Sequence, residues 1–139
     1  MPCLPINYTA LAEASKSFDP TTPIYMLNLL KYRPQATYLP EHAALAGEPC
    51  TGPDAWHRYV TALGPLLPTG AARFFVGNVV AEAVVPKGES WDVVGINVYP
   101  SLDAFRKMVE SRQYQEGAMP HRLAALEDFR LVVLDKLEF

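Results

Sequence analysis

The chain has 139 residues, of which 50% are hydrophobic and 19% are charged. This length and composition predict one globular domain, residues 1–139, with a sizeable buried core. Twelve Lys and Arg residues against fifteen Asp and Glu residues give a formal net charge of −3. Because the basic residues are scattered, the continuous basic surface that nucleic-acid binding requires is missing, and we expect no nucleic-acid partner.

The terminus and the two cysteines indicate the cellular compartment. No apolar run approaches the roughly eighteen residues needed to cross a bilayer, and the N-terminal stretch MPCLPINYTALAEASKSF lacks the pattern of a signal peptide. Cys3 and Cys50 are too few for a disulfide scaffold and do not form a metal-binding CxxC pair. We therefore predict a cytoplasmic protein with free thiols and no membrane partner.

The first half of the chain predicts two helices separated by a strand and a long loop. Asn7 can cap an additional N-terminal helix over residues 7–18, and the apolar run IYMLNLL after it predicts a buried strand. Residues 33–52 are rich in Pro, Gly and small side chains, which indicates a long loop with one helical turn at PEHAAL. Thr51 then begins a second helix, which Gly64 and the following proline end or kink.

The second half predicts a hairpin, further helices and a final strand. The β-rich runs ARFFVGNVVAEAVV and WDVVGINVY are joined by PKGES, which suits an antiparallel connection. Ser101 can cap the helix LDAFRKMVES, after which helical pieces are broken at Gly117 and Pro120. The run FRLVVLDKL predicts the last strand.

A helix followed by the order βαββαβ predicts an α+β, ferredoxin-like fold. Such a fold has a four-stranded antiparallel sheet with its helices gathered on one face. In the strands, Val93, Val94 and residues 131–134 are apolar at consecutive positions, so apolar side chains point to both faces of the sheet. In a sheet with one solvated face, apolar and polar residues should alternate. A second copy of the chain is the simplest cover for the other face, so we predict a homodimer.

Several segments resemble a known family. The runs MLNLLKYR, WHRYVTALGPLL, WDVVGINVYPSLDAFRKMVESRQYQ and HRLAALEDFRLVV, within residues 23–137, are similar to bacterial and fungal proteins of a domain-of-unknown-function family. That family lies in the ferredoxin-like dimeric α/β-barrel superfamily. The superfamily includes cofactor-free monooxygenases of polycyclic phenols, muconolactone isomerases, decarboxylases, polyketide cyclases and haem-using enzymes. The resemblance implies a dimer whose protomers each hold a ligand cavity between sheet and helices.

His121 and Arg122 are the first candidate site residues. His121 follows a proline at the start of a short predicted helix, where the helix dipole disfavours imidazolium, so a neutral ring could accept a substrate proton. We predict catalytic roles for His121 and for Asp92, whose carboxylate could orient His121 or Arg122. In the alternative, His121 hydrogen-bonds the preceding segment, Arg122 pairs with Glu127 or another acid, and Asp92 forms a salt bridge.

Three further residues are candidates for substrate binding beside Arg122. Asn28 is the single polar side chain in an apolar strand, so it either clamps a ligand or bridges to a neighbouring strand or helix end. Tyr59 belongs to the apolar stripe of the second helix and could wall a pocket. Trp91 could wall the same pocket, or it could pack at the dimer edge.

These residues suggest a cofactor-independent enzyme of small-molecule or secondary metabolism. It would act on a phenolic, polyketide-like or lactone substrate by proton transfer, leading to oxygenation, decarboxylation, cyclisation or isomerisation. The chain contains no GxSxG, GxGxxG or Walker motif, and its histidines (His42, His57, His121) are not at ligand spacing, so we expect neither cofactor nor metal. One alternative is a non-catalytic small-ligand-binding or stress-response module. A third is a haem-binding protein with His121 as axial ligand.

Overall fold

The computed structural model describes residues 4–138, so the predicted free thiol of Cys3 lies outside the described residues. The helices, in chain order, are α1 (Tyr8–Ser17), α2 (Ala43–Ala46), α3 (Gly52–Leu63), α4 (Leu102–Val109), α5 (Arg112–Gly117) and α6 (Met119–Ala125). The strands are β1 (Ile24–Tyr32), β2 (Ala72–Asn78), β3 (Val93–Tyr99) and β4 (Leu126–Leu134). Short 3-10 turns at Pro40–His42 and Gly64–Leu66 precede α2 and follow α3.

The strands form one four-stranded sheet in the order β2-β3-β1-β4, and every neighbouring pair is antiparallel. This order is that of the split βαβ arrangement, in which the first and third strands occupy the centre. The predicted α+β, ferredoxin-like fold with an additional N-terminal helix is therefore confirmed.

The predicted helix starts follow from local capping. The Asn7 side chain accepts a hydrogen bond from the Ala10 amide at 2.9 Å, which satisfies one free donor at the start of α1. Thr51 and Asp54 form a reciprocal capping box at the start of α3. α3 ends at Leu63 because Pro65, in the turn that follows, removes a backbone donor.

The predicted hairpin strands were too long. β2 ends at Asn78 instead of continuing to position 85, because the ladder to β3 stops there. The Val79 amide donates to the Asp92 carbonyl at 2.9 Å, while the Asp92 amide turns to the Leu30 carbonyl at 2.7 Å. β3 consequently begins at Val93 and not at the predicted tryptophan. Residues 79–92 cross the surface as an irregular segment.

The last strand begins earlier than predicted. α6 ends at Ala125 and the chain enters β4 directly at Leu126, which pairs with Tyr32. β4 ends at Leu134 because its partner there, Tyr25, is close to the start of β1, and no further residues of that strand remain to pair.

The two faces of the sheet differ in their cover. Alternate residues of β1, from Ile24 to Leu30, are buried under the helices. The residues between them belong to the opposite face, which no helix covers and which is mostly apolar, with Arg130 beside Leu29 as a charged residue. This open face carries Tyr25, Leu27, Leu29, Val94, Ile96, Val98, Val132 and Leu134. Among residues 4–138, no helix has the length and apolar character required to cross a bilayer.

Candidate functional site

A cavity of about 490 Å³ lies between the helix-covered face of the sheet and helices α3, α4 and α5. This volume falls within the range of small-molecule sites. Much of its wall is aromatic and apolar, and includes Trp56, Tyr59, Tyr99, Phe105, Met108 and Tyr114.

The cavity opens to solvent beside the edge strand β2. The exposed members of its lining come from the C-terminal end of α3 and the segment after it, with Val60 and Leu67, and from β2, with Arg73 and Val76. The buried members come from the central strands and from α4 to α6. The site is therefore a deep pocket with a mouth between α3 and β2.

Arg122 projects from the short helix α6 to the buried end of this pocket. Its side chain is only 5% exposed, and its Nη2 donates to Asn28 Oδ1 at 3.1 Å. Its Nε is buried without a hydrogen-bond partner among the described residues. No described carboxylate forms an ion pair with it, and Glu127, the partner considered from the sequence, pairs instead with Lys31 at 3.1 Å. The pairing of Arg122 with Glu127 is therefore wrong.

Aromatic rings surround the Arg122 guanidinium. Its Cζ atom lies 4.6 Å from the ring centroid of Phe129, 5.2 Å from that of Trp56 and 5.4 Å from that of Tyr59. Such cation–π contacts compensate part of the cost of burying a positive charge. They provide no formal negative charge, so the guanidinium has no anionic partner among the described residues.

The tyrosine hydroxyls near this cation are linked to each other. Tyr59 Oη and Tyr114 Oη are 2.9 Å apart in the buried part of the wall. Burial raises the pKa of Tyr114, and burial followed by the nearby Tyr59 raises the pKa of Tyr99. The hydroxyls of Tyr99 and Tyr114 therefore stay protonated at neutral pH and can donate hydrogen bonds to a ligand.

The charged side chains that line the cavity are all positive. Of the described residues that line the cavity, Arg73 and Arg122 are the charged ones, and none is Asp or Glu. Three amides, Asn28, Asn78 and Asn97, supply further polar groups from the sheet. A pocket with two cations, no acid and apolar walls is suited to an anionic aromatic or polyketide-like molecule.

The structure brings three of the predicted site residues together. Asn28, Tyr59 and Arg122 all line the cavity. The Asn28 amide oxygen is engaged by Arg122, and its Nδ2 donates to the Met26 carbonyl at 3.3 Å. Asn28 therefore holds Arg122 in position, which is close to the bridging alternative considered from the sequence.

His121 lies elsewhere, outside the cavity lining. Its Nδ1 is 2.6 Å from the hydroxyl of Tyr38, in the predicted 33–52 loop, and Arg58 Nη1 donates to the same hydroxyl at 3.2 Å. Burial, and then the positive charge of Arg58, lower the pKa of His121. The lowered pKa favours the neutral ring, and its Nδ1 shares a hydrogen bond with the Tyr38 hydroxyl. With no histidine in the lining, the pocket lacks the axial ligand that the haem alternative required.

Asp92 and Trp91 also lie outside the lining of this cavity. Asp92 Oδ2 accepts from the Tyr32 amide at 2.8 Å, at the exposed start of β3. Trp91 is buried, and the guanidinium carbon of Arg130 stands 5.0 Å from its ring centroid. Within residues 4–138, no group of three or more His, Cys, Asp or Glu side chains is arranged to hold a metal ion.

Most lining residues were not among the predicted site residues. Trp56 shares the apolar stripe of α3 with Tyr59, so the same helical spacing could have selected it. Tyr114 and Gly95 line the cavity from α5 and β3. A glycine inside a strand was an available signal for Gly95, since such positions often mark a close approach of a ligand.

Comparison with solved structures identifies relatives of this chain. It is 33% identical to the RPA0582 protein of unknown function from Rhodopseudomonas palustris, covering 99% of both chains with a TM-score of 0.81. The methylated RPA0582 protein gives 35% identity, with 99% of this chain and 98% of that chain covered and a TM-score of 0.80. The chain belongs to the RPA0582 family. No family model and no curated protein matches it.

A more distant likeness extends the fold beyond the RPA0582 family. A candidate antibiotic biosynthesis monooxygenase from Caulobacter crescentus CB15 is 14% identical, with 90% of this chain and 99% of that chain covered and a TM-score of 0.51. At this identity the likeness shows a shared fold alone.

Proposed function

We propose that this protein is a cofactor-independent enzyme that binds a phenolic, polyketide-like or lactone molecule in the cavity and promotes proton transfer from it. The observation that carries the proposal is the buried Arg122, with one unpaired N–H and no carboxylate partner among the described residues, at the inner end of an aromatic pocket. A substrate oxyanion would complete its charge and its hydrogen bonds.

Arg122 is a buried charge without an ion-pair partner among the described residues. Removing an ion from water costs several kcal/mol in a real protein, on the order of what an entire ion pair recovers. One amide and three rings around Arg122 offset part of this cost. A buried, fixed cation interacts most strongly with charge that develops on a bound substrate, which is how oxyanion stabilisation accelerates reactions.

The proton-transfer step follows from the groups present. An acidic C–H or O–H bond of the substrate breaks, its electron pair is delocalised onto the oxygen that faces Arg122, and the proton passes to water in the open pocket. No described Asp, Glu or His lines the cavity, so His121 and Asp92 take no part in this proton transfer. The lining favours substrates that are acidic themselves, such as phenols and 1,3-dicarbonyl compounds.

The proposed enzyme is a homodimer in the cytoplasm. We propose a homodimer in which a second copy covers the open apolar face, leaving the helix side of each protomer to hold its own cavity. The sequence favours the cytoplasm, where small-molecule and secondary metabolism supplies substrates of this class.

Solvent deuterium incorporation tests the proposed reaction. A cyclic β-keto ester and a naphthol are incubated with the protein in D₂O and followed by proton NMR. We expect the wild type to accelerate exchange at the acidic position above background, and Arg122→Met to lose ~10²-fold of that acceleration or more. Equal rates for the two proteins would remove Arg122 from the mechanism.

The alternative is a carrier that uses the same cavity without chemistry. The lack of a carboxylate or imidazole base in the described lining favours it. In the same NMR experiment, a carrier would broaden the ligand signals while returning the molecule unchanged, at the background exchange rate. A stress-response module would behave in the same way.

A further inference from the structure

We propose that Gly95 determines specificity in this cavity, and that the ligand is a planar aromatic monoanion lying flat against the backbone of β3 with its acidic oxygen at Arg122. The inference rests on the proposed function, which places an anion at Arg122, and adds the shape of the molecule that carries it.

Gly95 is not explained by the backbone of the strand. It lies in the middle of β3 and pairs with Asn28 on one side and Val76 on the other. Glycine at a strand interior weakens the strand, because it gives up side-chain packing and loses more conformational entropy on folding. Gly95 is not among the glycines with positive φ, so any residue could adopt its conformation.

Packing does not explain Gly95 either. A Cβ atom built at this position would meet no other atom within 4 Å. Three other glycines have visible reasons: a Cβ at Gly52 would clash with the Arg33 carbonyl oxygen, and Gly70 and Gly88 have positive φ. The space above Gly95 is therefore open within the cavity it lines.

The register places this open space beside the buried cation. Asn28 and Gly95 are directly paired, so their side-chain positions lie on the same face of the sheet, about 4.5–5.5 Å apart between Cβ positions. Asn28 is the residue that binds the Arg122 guanidinium. A molecule lying over Gly95 therefore has its edge next to Arg122.

Two parts of the lining suit a planar ligand. Without a side chain, the β3 backbone at Gly95 presents flat peptide groups as a floor. Trp56 and Tyr59, whose ring centroids are 4.8 Å apart with planes tilted by 33°, supply a nearly continuous aromatic wall. A planar ring can contact such surfaces over its full area, whereas a puckered saturated ring cannot.

The size of residue 95 can be changed without disturbing the fold. We expect Gly95→Ala and Gly95→Val to unfold at temperatures no lower than the wild type, since each replaces glycine in a strand that has room for the side chain. Titration calorimetry with 2-naphthoate should show binding weakened about tenfold by Gly95→Ala. Gly95→Val should weaken it by about 100-fold or more.

A matched control and a matched ligand separate shape from charge. Gly117→Ala also adds a methyl group where nothing lies within 4 Å, but outside the cavity lining, and should leave 2-naphthoate binding unchanged. The saturated decahydro-2-naphthoate has the same carboxylate on a puckered ring. It should bind the wild type about tenfold more weakly than 2-naphthoate or worse.

The outcomes distinguish this inference from the proposed function. If Arg122→Met loses 2-naphthoate binding while Gly95→Val retains it, the role of Gly95 is overturned and the anion site stands. Equal affinity for the planar and saturated acids overturns the planar ligand class alone. If the wild type binds neither acid, the anion site itself is overturned, and this inference falls with it.

Discussion

At the scale of single residues, the buried guanidinium of Arg122 should cost the protein stability when no ligand is bound. The double variant Arg122→Met with Asn28→Leu removes the charge and its amide partner together, leaving no unpaired polar group. We expect its free energy of unfolding, measured with urea, to equal that of the wild type or to be up to about 4 kcal/mol higher. Arg122→Met alone should be less stable than the double variant by about 1–3 kcal/mol, because Asn28 Oδ1 then loses its partner.

A large loss of stability in the double variant would contradict this account. It would mean that Arg122 is a structural cation whose contacts with the three rings exceed its cost of burial. The variant is also the reference for the ligand experiments, since it keeps the shape of the pocket wall while removing its charge.

His121 makes stability depend on pH. Burial, followed by Arg58, holds its pKa in the folded protein below the ordinary value of 6.5. As the pH falls below 6.5 the unfolded chain binds a proton at His121 before the folded chain does, so the free energy of unfolding decreases until the folded-state pKa is passed. His121→Gln should flatten this part of the pH profile, measured by urea unfolding between pH 4 and 8.

His57→Gln is the matched control for that profile. His57 is exposed on α3, so the same substitution there controls for the change of residue type outside the contacts of His121. A wild-type profile that persists in His121→Gln would show that another group titrates in this range.

Some site residues could be predicted from the sequence and others could not, for physical reasons. Asn28 could be singled out because one amide in an apolar strand must find a partner. That partner, Arg122, is 94 residues away, and only the strand order and the placement of α6 bring the two together. Asp92 and Trp91 were assigned to the pocket because the strand was expected to include them, whereas it begins at Val93.

At the scale of elements, one side chain of α3 makes three hydrogen bonds to the segment between β1 and α3. Arg58 donates to the Ala46 carbonyl at 2.6 Å, to the Glu48 carbonyl at 2.9 Å and to the Tyr38 hydroxyl at 3.2 Å. A hydrogen bond to a charged group contributes about 1.5–3 kcal/mol. We therefore expect Arg58→Met to speed amide hydrogen exchange in this segment by about tenfold or more.

Mass spectrometry of exchanged peptides measures this effect. Arg112→Met is the control, because Arg112 forms an exposed pair with Glu116 within its own helix and should affect exchange little beyond that helix. Unchanged exchange between β1 and α3 in Arg58→Met would show that backbone contacts alone fix the segment, such as that of the Thr37 amide with the Ala124 carbonyl.

Element types were predictable because their signals are local. Caps at Asn7, Thr51 and Ser101 specify helix starts through hydrogen bonds that span three residues. The end of β2 was not predictable from its own composition. Val80 and Val84 have the composition of a strand, yet they are 97% and 93% exposed, because a strand also requires a neighbour with free backbone groups.

At the scale of the whole molecule, the open sheet face is a mostly apolar surface that no helix covers. Val132, 45% exposed on β4, pairs with Leu27 on this face. We expect light scattering to give a particle of about twice the 15.4 kDa chain mass. Val132→Glu should yield monomers, because a charge buried between two sheets would lack a partner.

Val84→Glu is the control for the assembly. It adds the same charge to an equally apolar residue that is 93% exposed in the surface segment 79–92, and should leave the dimer intact. A monodisperse single chain in the wild type would contradict the dimer and leave the apolar face without a cover.

The central claim is that Arg122 binds the anionic group of a ligand. The most direct measurement compares the affinities of two ligands that differ in charge alone. Calorimetric titration of the wild type with 2-naphthoate and with the neutral 2-naphthamide should show the acid binding about tenfold more tightly or better, as expected for a buried charge pair. The preference should vanish in the Arg122→Met, Asn28→Leu double variant. Equal affinity for acid and amide in the wild type, or a preference for the acid that survives in the double variant, would contradict the account.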